Sequence, residues 1–140
     1  MQKYKKIIIG ACICLVCICG LFCITKNLGG DSVVGVWRIS GYEYKGETFN
    51  TNDVMKLCEK CGYSLLEWSN STLEFTSNGK VCMTREEDGK PYRITGQYIV
   101  GETFVELLSD SGDSDGKLLR YDGKRIYYDI PSGIVLIFHK

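Results

Sequence analysis

Three cysteines have the residue types and spacing that come closest to a reactive site. Cys58 and Cys61 have the CxxC spacing used by thiol oxidoreductases and by zinc sites, and Cys82 is the third. The pair falls at the end of a predicted helix, whereas the helix dipole activates a thiolate at the N-terminus. A structural zinc ion needs about four ligands, and only Cys82 and His139 remain as candidates. The pattern therefore favours structural cysteines, either as a disulfide between two of the three or as free thiols.

An acidic stretch gives a partial calcium-loop pattern. Positions 1, 3, 5, 6 and 12 of the EF-hand template are occupied here by Ser111, Asp113, Asp115, Gly116 and Asp122. The first position lacks a carboxylate, the last lacks the longer bidentate glutamate, and Asp122 belongs to an Asp-Gly turn. We expect a solvated acidic loop, with calcium as the weaker alternative, and we assign no metal and no cofactor.

The sequence offers no specific arrangement for acid–base or nucleophilic catalysis. His139 is the single histidine, and strand alternation places it on the face opposite Phe138, where a surface residue is the default. Glu86 and Glu87 lie in a charged run (REEDGK) that is typical of a solvated hairpin end. We therefore expect a protein that is not an enzyme.

The elements that hold these residues are predicted to be mainly strands. From Val33 onward, short runs rich in Val, Ile, Tyr, Phe and Thr are separated by glycine turns. Alternation in Leu73–Thr76 and Ile126–Ile130 indicates half-buried strands, of which we expect about seven or eight. In the last strand, 133–140, both faces carry apolar residues, so it is expected to be covered on both sides. The predicted turns are Lys45-Gly46, Asn78-Gly79, Gly101-Glu102, Asp122-Gly123 and Ser132-Gly133, the Asn-Gly and Asp-Gly pairs being suited to type I′ geometry.

One segment breaks the strand pattern. Residues 52–61 place Val54, Leu57, Cys58 and Cys61 at helical spacing, with Asn52 as the predicted N-cap and a glycine after the last turn. The spacing predicts a short helix across one end or side of the sheet.

Residues 7–25 form an uncharged apolar stretch that follows three lysines. Its length is close to the roughly 20 residues needed to cross a bilayer, and the lysines favour a cytoplasmic N-terminus. A cleaved signal peptide and a lipoprotein signal are the alternatives. Either one requires small residues before its cleavage site, and the residues before Lys26 (signal peptide) and before Cys23 (lipoprotein) fit that requirement poorly. We expect a retained transmembrane helix, a tether at 26–32 and an extracytoplasmic domain at 33–140. Five of the eight cysteines lie inside this stretch and are therefore not available for disulfides within the folded domain: Cys12, Cys14, Cys17, Cys19 and Cys23.

The charges divide unevenly along the chain. Residues 1–30 carry four lysines and no acid, while residues 31–140 carry 13 basic and 17 acidic side chains. Because a nucleic-acid-binding domain normally presents a basic surface, the mildly acidic folded part excludes nucleic acid as an expected partner.

A set of motifs along the folded part resembles a known family. Gly35-Val36-Trp37 opens the first strand, a short helix follows, Leu73-Glu74-Phe75 leads into Asn78-Gly79, and hairpins continue to Phe138-His139-Lys140. This pattern resembles the lipocalin-like, or calycin-like, small barrels of membrane-attached proteins from low-GC Gram-positive bacteria. The resemblance implies an antiparallel meander that closes into a barrel, with Trp37 plugging one end.

The functional expectation follows from these elements together. We expect a non-catalytic binding or interaction module, anchored in the cell membrane by residues 7–25, whose partner is a surface protein or another unknown molecule. The alternative is a lipocalin-like carrier of a small apolar ligand. A small barrel can hold one small molecule or be filled by side chains, and the many tyrosines here make a filled interior at least as plausible.

Overall fold

A computed structural model of the chain describes residues 33–140, apart from the side chains of residues 114–116. The predicted anchor at 7–25 and the tether at 26–32 lie outside the described residues. Within residues 33–140, the single α-helix is far too short and polar to cross a membrane.

Nine strands, one 3₁₀ turn and one helix make up the described chain. The first strands are β1 (Gly35–Tyr44) and β2 (Glu47–Asn50), followed by the 3₁₀ turn Thr51–Asp53 and by α1 (Val54–Cys61). The remaining strands are β3 (Thr72–Phe75), β4 (Lys80–Glu87), β5 (Lys90–Val100), β6 (Phe104–Leu108), β7 (Ser114–Tyr121), β8 (Arg125–Asp129) and β9 (Ile134–His139).

The strands form one antiparallel sheet that closes on itself. Strands β3 to β9 follow in chain order, and β1 pairs with β3 on one side and with β9 on the other. The second half of β1 also pairs with β2, which stays outside the ring. An antiparallel meander closing into an eight-stranded barrel with one short helix is therefore confirmed.

The end of the barrel at which β1 begins is called here the lower end. Trp37 is buried there, and its indole N–H donates to the Val33 carbonyl at 2.7 Å. The ring packs edge-on against Tyr121, with a centroid distance of 6.0 Å, and the Lys140 ammonium lies over it at 5.7 Å. Trp37 thus closes the lower end, on the side where the chain enters the domain.

Side chains fill the interior. The predicted alternation is confirmed, because Leu73 and Phe75 on β3 are buried while Glu74 between them is exposed. In β9, Ile137 is also buried on the outer face, which confirms cover on both sides of that strand. The largest fully buried side chains are Trp37, Tyr42, Phe75, Phe138, Leu57, Leu65, Leu73, Leu119, Ile126, Ile134, Leu136 and Val105.

The turns differ in part from their predicted geometry. Positive φ at both central residues, as in type I′ turns, occurs at Lys45-Gly46 and at Asp88-Gly89. At Asn78-Gly79 and Asp122-Gly123 only the glycine has positive φ, so the type I′ prediction is wrong for these two turns. At the first of these turns the Thr76 N–H donates to the Lys80 carbonyl at 2.9 Å, and Gly79 fits the left-handed position that ends a three-residue loop. At the second, the Asp122 N–H donates to the Arg125 carbonyl at 3.3 Å, and Gly123 is the first of the two residues between them.

The helix lies where the sequence predicts it, but its N-terminal capping residue is a different one. Asn52 falls inside the 3₁₀ turn, and Asn50 is the capping residue, its side-chain oxygen accepting from the N–H groups of Asn52 and Asp53. The Asn52 prediction was wrong because the 3₁₀ turn adds a turn of helix before α1. Gly62 ends α1 with φ of 67°, as expected, and Leu57 inserts fully into the core.

Candidate functional site

Cys58, Cys61 and Cys82 lie in two separate places and are not joined to one another in the structure. Cys58 and Cys61 face the core from α1, where the Cys58 sulfur accepts from the Leu65 N–H at 3.4 Å. Cys82 points outward from β4, as alternation requires, and lines a groove on the outer face of the barrel. Since α1 packs on the core side, a disulfide from Cys82 to either helix cysteine is not favoured, and the Cys58–Cys61 pair stays a prediction.

The calcium-loop residues are spread along a strand. Ser111 and Asp113 lie in the loop before β7, where the Ser111 hydroxyl donates to the Asp113 carboxylate at 2.8 Å. Asp115 is part of β7, and Asp122 follows the far end of that strand. No group of metal-binding side chains occurs among those that the structure describes.

Asp122 instead stabilises its own turn. Its carboxylate accepts from the N–H groups of Lys124 and Arg125, at 2.8 and 2.6 Å, and from the Tyr127 hydroxyl at 3.0 Å. Partial desolvation alone would raise the pKa of Asp122, but these hydrogen bonds together hold that pKa below its ordinary value.

The upper end of the barrel, opposite Trp37, brings together a cluster of cations and aromatic rings that we call the upper mouth: Arg85, Lys117, Trp68, Tyr92 and Tyr128. The Arg85 guanidinium carbon lies 4.9 Å from the Trp68 ring centroid and 5.3 Å from that of Tyr92. The Lys117 ammonium lies 4.2 Å from the centroid of Tyr128. Two positive charges are therefore held against three aromatic rings at one end of the barrel.

The local sequence explains why these side chains meet. Arg85 pairs with Tyr92 across the β4–β5 hairpin, and paired residues share a face of the sheet. Met83 on the same face of β4 is buried, so this face is the inner one. Trp68 comes from the loop after α1, which is joined to β4 by the N–H of Glu86 donating to the Glu67 carbonyl at 3.2 Å.

The positive charges of Arg85 and Lys117 at the upper mouth have few acceptors. The Arg85 Nε is buried and has no hydrogen-bond partner within the described residues, and its Nη2 lies 3.7 Å from the Glu87 carboxylate. Lys117 donates to the backbone carbonyl of Asp129 rather than to a carboxylate. Burial raises the pKa of the Tyr128 hydroxyl, and the positive charge of Arg85 offsets part of that rise. Within residues 33–140, the Glu87 carboxylate is thus the one ion-pair partner of these two cations, and it is paired with Arg85 alone.

Sequence reasoning missed this cluster. The charged run REEDGK is typical of a solvated hairpin end, which holds for Glu86 and Asp88 but not for Arg85, whose side chain is only 22% exposed. The available signal was alternation: Val81 and Met83 predict an inward side chain at position 85. An inward arginine that follows two apolar residues on the same face indicates a specific environment.

A second concave feature lies on the outer face of β3, β4 and β5. This groove has a volume of about 290 Å³ and is lined by Glu74, Thr76, Lys80, Val81, Cys82, Thr95, Gly96 and Asp110. Its polar lining carries both charge signs, and the Asp110 carboxylate already accepts from the Thr95 hydroxyl at 3.0 Å. The outer groove therefore offers less unpaired charge than the upper mouth.

Comparison of the chain with models of protein families, with curated proteins and with solved structures found no match.

Proposed function

We propose that this protein is a non-catalytic binding module whose upper mouth takes an anionic group attached to an aromatic or apolar body. The observation that carries the proposal is the pair of cations held over aromatic rings, with the buried Arg85 Nε lacking an acceptor. An anion at this position would accept from the guanidinium, and its apolar part would lie against the exposed ring of Tyr92.

Two features of the barrel favour its upper end as the binding face. The core below it is filled by buried side chains, so we expect the ligand at the mouth rather than deep inside the barrel. This also makes the alternative, a lipocalin-like carrier enclosing a small apolar molecule, the weaker proposal. The first strand begins at the lower end, beside Trp37, and the upper mouth lies at the opposite end of the barrel.

The place of action is part of the proposal. The lysines before residues 7–25 and the length of that stretch support a membrane anchor with the barrel on the extracytoplasmic side, as in the Gram-positive lipocalin-like proteins that the motifs resemble. Intact cells treated with a membrane-impermeant amine reagent test this. Labelling of the barrel lysines before lysis, with the protein in the membrane fraction, is the expected result; labelling only after lysis would contradict it.

The binding proposal is tested with a matched set of small aromatic probes. We expect phenyl phosphate to bind the full-length protein in detergent, with an affinity that falls as salt is added, because the interaction is between charges. Benzyl alcohol and benzylamine, which have the same ring without the negative charge, are expected to bind at least tenfold more weakly. Isothermal titration calorimetry measures all three.

Variants locate the site of the probe. Arg85→Met and Lys117→Met are each expected to weaken phenyl phosphate binding about tenfold, because each removes one charge-assisted contact. Lys124→Met makes the same charge change in an exposed turn at the lower end and serves as the control. Equal binding by all three variants would show that the anion binds elsewhere and would overturn the proposal.

A further inference from the structure

We propose that the Ser71 hydroxyl and the Arg85 Nε together form a binding subsite on the inner face of the barrel, which takes two oxygens of a carboxylate, phosphate or sulfate group. This pair of donors is called the inner subsite. The inference rests on the proposed function, since the anion is the one expected at the upper mouth. It adds a binding residue and the chemical class of the anion.

Strand pairing places Ser71 beside Arg85. Leu73 on β3 lies opposite Met83 on β4, and both side chains are buried on the inner face. Two steps further along the same register bring Ser71, which directly precedes β3, opposite Arg85 and on the same face. Residues directly opposite each other in an antiparallel pair have Cβ atoms about 4.5–5.5 Å apart. Ser71 and Arg85 therefore present their polar atoms to the same region of the barrel interior.

The backbone holds Ser71 in this position. Its N–H donates to the Trp68 carbonyl at 2.9 Å, within the loop that leads into β3. The same loop is joined to β4 by the Glu86 N–H, which donates to the Glu67 carbonyl at 3.2 Å. The loop therefore fixes both the Trp68 ring and the Ser71 hydroxyl against the strand that carries Arg85.

Both polar atoms of the inner subsite are buried and unpaired. Ser71 is only 1% exposed, and its hydroxyl has no hydrogen-bond partner within residues 33–140, as is also true of the Arg85 Nε. Buried polar groups in proteins nearly always have a partner. An arginine Nε can only donate, and a serine hydroxyl can donate as well as accept, yet the two atoms are not bonded to each other. Two neighbouring donors without an acceptor indicate a ligand that accepts from both.

The donors select the class of anion. The Glu87 carboxylate approaches Nη2 of Arg85, at 3.7 Å, and leaves Nε unpaired. Carboxylate, phosphate and sulfate groups carry at least two oxygens on one atom, so each donor can have its own acceptor. The bond from Nε is charge-assisted and therefore stronger than a bond between neutral groups. A phenolate, in contrast, offers one oxygen to two separate donors.

Access to the inner subsite requires a side chain to move. The Trp68 ring, itself only 8% exposed, lies 4.9 Å from the Arg85 guanidinium carbon. We therefore expect an anion that reaches Ser71 to displace this ring. Because the chain has two tryptophans, comparison with Trp68→Phe assigns the resulting change in fluorescence to Trp68 rather than to Trp37.

Ser71→Ala tests the contribution of the hydroxyl in the full-length protein in detergent. Calorimetry is expected to show phenyl phosphate binding weakened about five- to tenfold, because one hydrogen bond to the anion is lost. Ser77→Ala, the same change in the exposed β3–β4 turn, serves as the control. The urea midpoint of Ser71→Ala is expected to stay unchanged or to rise, since the hydroxyl has no partner in the folded protein. A purely structural role would lower that midpoint.

Two aromatic monoanions test the class of ligand. Benzoate has two oxygens on one carbon, and pentafluorophenolate, which is ionised at pH 8, has one oxygen. We expect the wild-type protein to bind benzoate at least fivefold more tightly. Ser71→Ala should reduce this preference to less than twofold, because the second oxygen then loses its donor.

The outcomes separate this inference from the proposed function. If Arg85→Met weakens phenyl phosphate binding and Ser71→Ala does not, the anion binds at the upper mouth without Ser71, and a water molecule is the partner of the hydroxyl. The inner subsite alone is then overturned. Unchanged binding in both variants overturns both proposals. Equal binding of the two monoanions by the wild-type protein, or unaltered Trp68 fluorescence at saturating phenyl phosphate, also contradicts the inner subsite.

Discussion

The Tyr42 hydroxyl is buried inside the barrel without a hydrogen-bond partner within the described residues. The Tyr98 hydroxyl, in contrast, donates to the Thr76 carbonyl at 2.7 Å. A buried polar group without a partner costs free energy, whereas a satisfied one contributes about 1 kcal/mol to stability. We therefore expect Tyr42→Phe to leave the free energy of unfolding unchanged or to raise it, and Tyr98→Phe to lower it by about 1 kcal/mol. Urea denaturation measures both, and an equal loss in the two variants would contradict this account.

The same tyrosines predict the alkaline limit of the fold. Burial raises the pKa of Tyr42, with a smaller contribution from the neighbouring Cys58, and burial also raises the pKa of Tyr98 and Tyr128. A raised pKa in the folded state means that the folded protein holds these protons more tightly than the unfolded chain does. We expect stability to be fully present below about pH 10 and to fall as pH rises above it. Denaturation midpoints between pH 8 and pH 12 measure the decline, and a smaller decline is expected for Tyr42→Phe.

For single residues, the sequence predicts which side chains point into the barrel better than it predicts what those side chains contact. Alternation correctly placed Leu73 and Phe75 on one buried face, because burial of one side of a strand requires a period of two. It could not reveal that Arg85 would lie between two rings, since Trp68 comes from a loop whose path is set by tertiary contacts.

The helix α1 packs on the barrel through Leu57, with Val54, Cys58 and Cys61 partly buried against the same core. Leu57 is fully buried, while its neighbour Glu59 is exposed. We expect Leu57→Ala to destabilise the domain by about 3 kcal/mol, because it removes packed atoms and leaves a cavity. Glu59→Ala is the matched control, expected to change stability by less than about 0.5 kcal/mol. Thermal unfolding followed by circular dichroism compares them, and a loss below about 1 kcal/mol for Leu57→Ala would show that α1 contributes little to the core.

The β7–β8 connection gives an acid-dependent prediction. The Asp122 carboxylate holds the turn through two backbone N–H groups, and its pKa is lowered by those bonds. A lowered pKa in the folded state stabilises the protein above the ordinary pKa of aspartate, near 3.8, and this contribution is lost as pH falls through the folded value. Asp122→Ala should therefore cost about 1 kcal/mol at pH 7, by analogy with other side-chain caps. The difference should shrink as pH falls below 4, and a constant difference across this range would contradict the assignment.

Elements were predictable where a local pattern determines them. The strand runs, the helical spacing from Val54 to Cys61 and the end of the helix at Gly62 all follow from residues close in sequence. The short β2 and the cap at Asn50 were missed, because β2 is held mainly by pairing with β1. The lengths of β5 and β6 also depend on pairing that periodicity alone does not specify.

For the whole molecule, closure of the sheet through β1 and β9 turns a meander into a barrel with two different ends. Trp37 and the chain entry occupy the lower end, and the cation–aromatic cluster occupies the upper one. The resemblance of the sequence motifs to small barrels predicted the closure. The distinction between the ends emerges only from the assembled structure, because the upper-mouth residues come from the loop after α1, the β4–β5 hairpin, β7 and β8.

The central claim, that the upper mouth binds an anion, is tested most directly at the Arg85 Nε. The chain has five arginines, so ¹⁵N-arginine labelling of the full-length protein gives a simple spectrum in which Arg85→Lys identifies one Nε–H signal. We predict that phenyl phosphate shifts this signal saturably, with the dissociation constant found by calorimetry, while the signal of Arg125 at the lower end stays in place. An unmoved Arg85 signal at phenyl phosphate concentrations that saturate the calorimetric binding would contradict the claim.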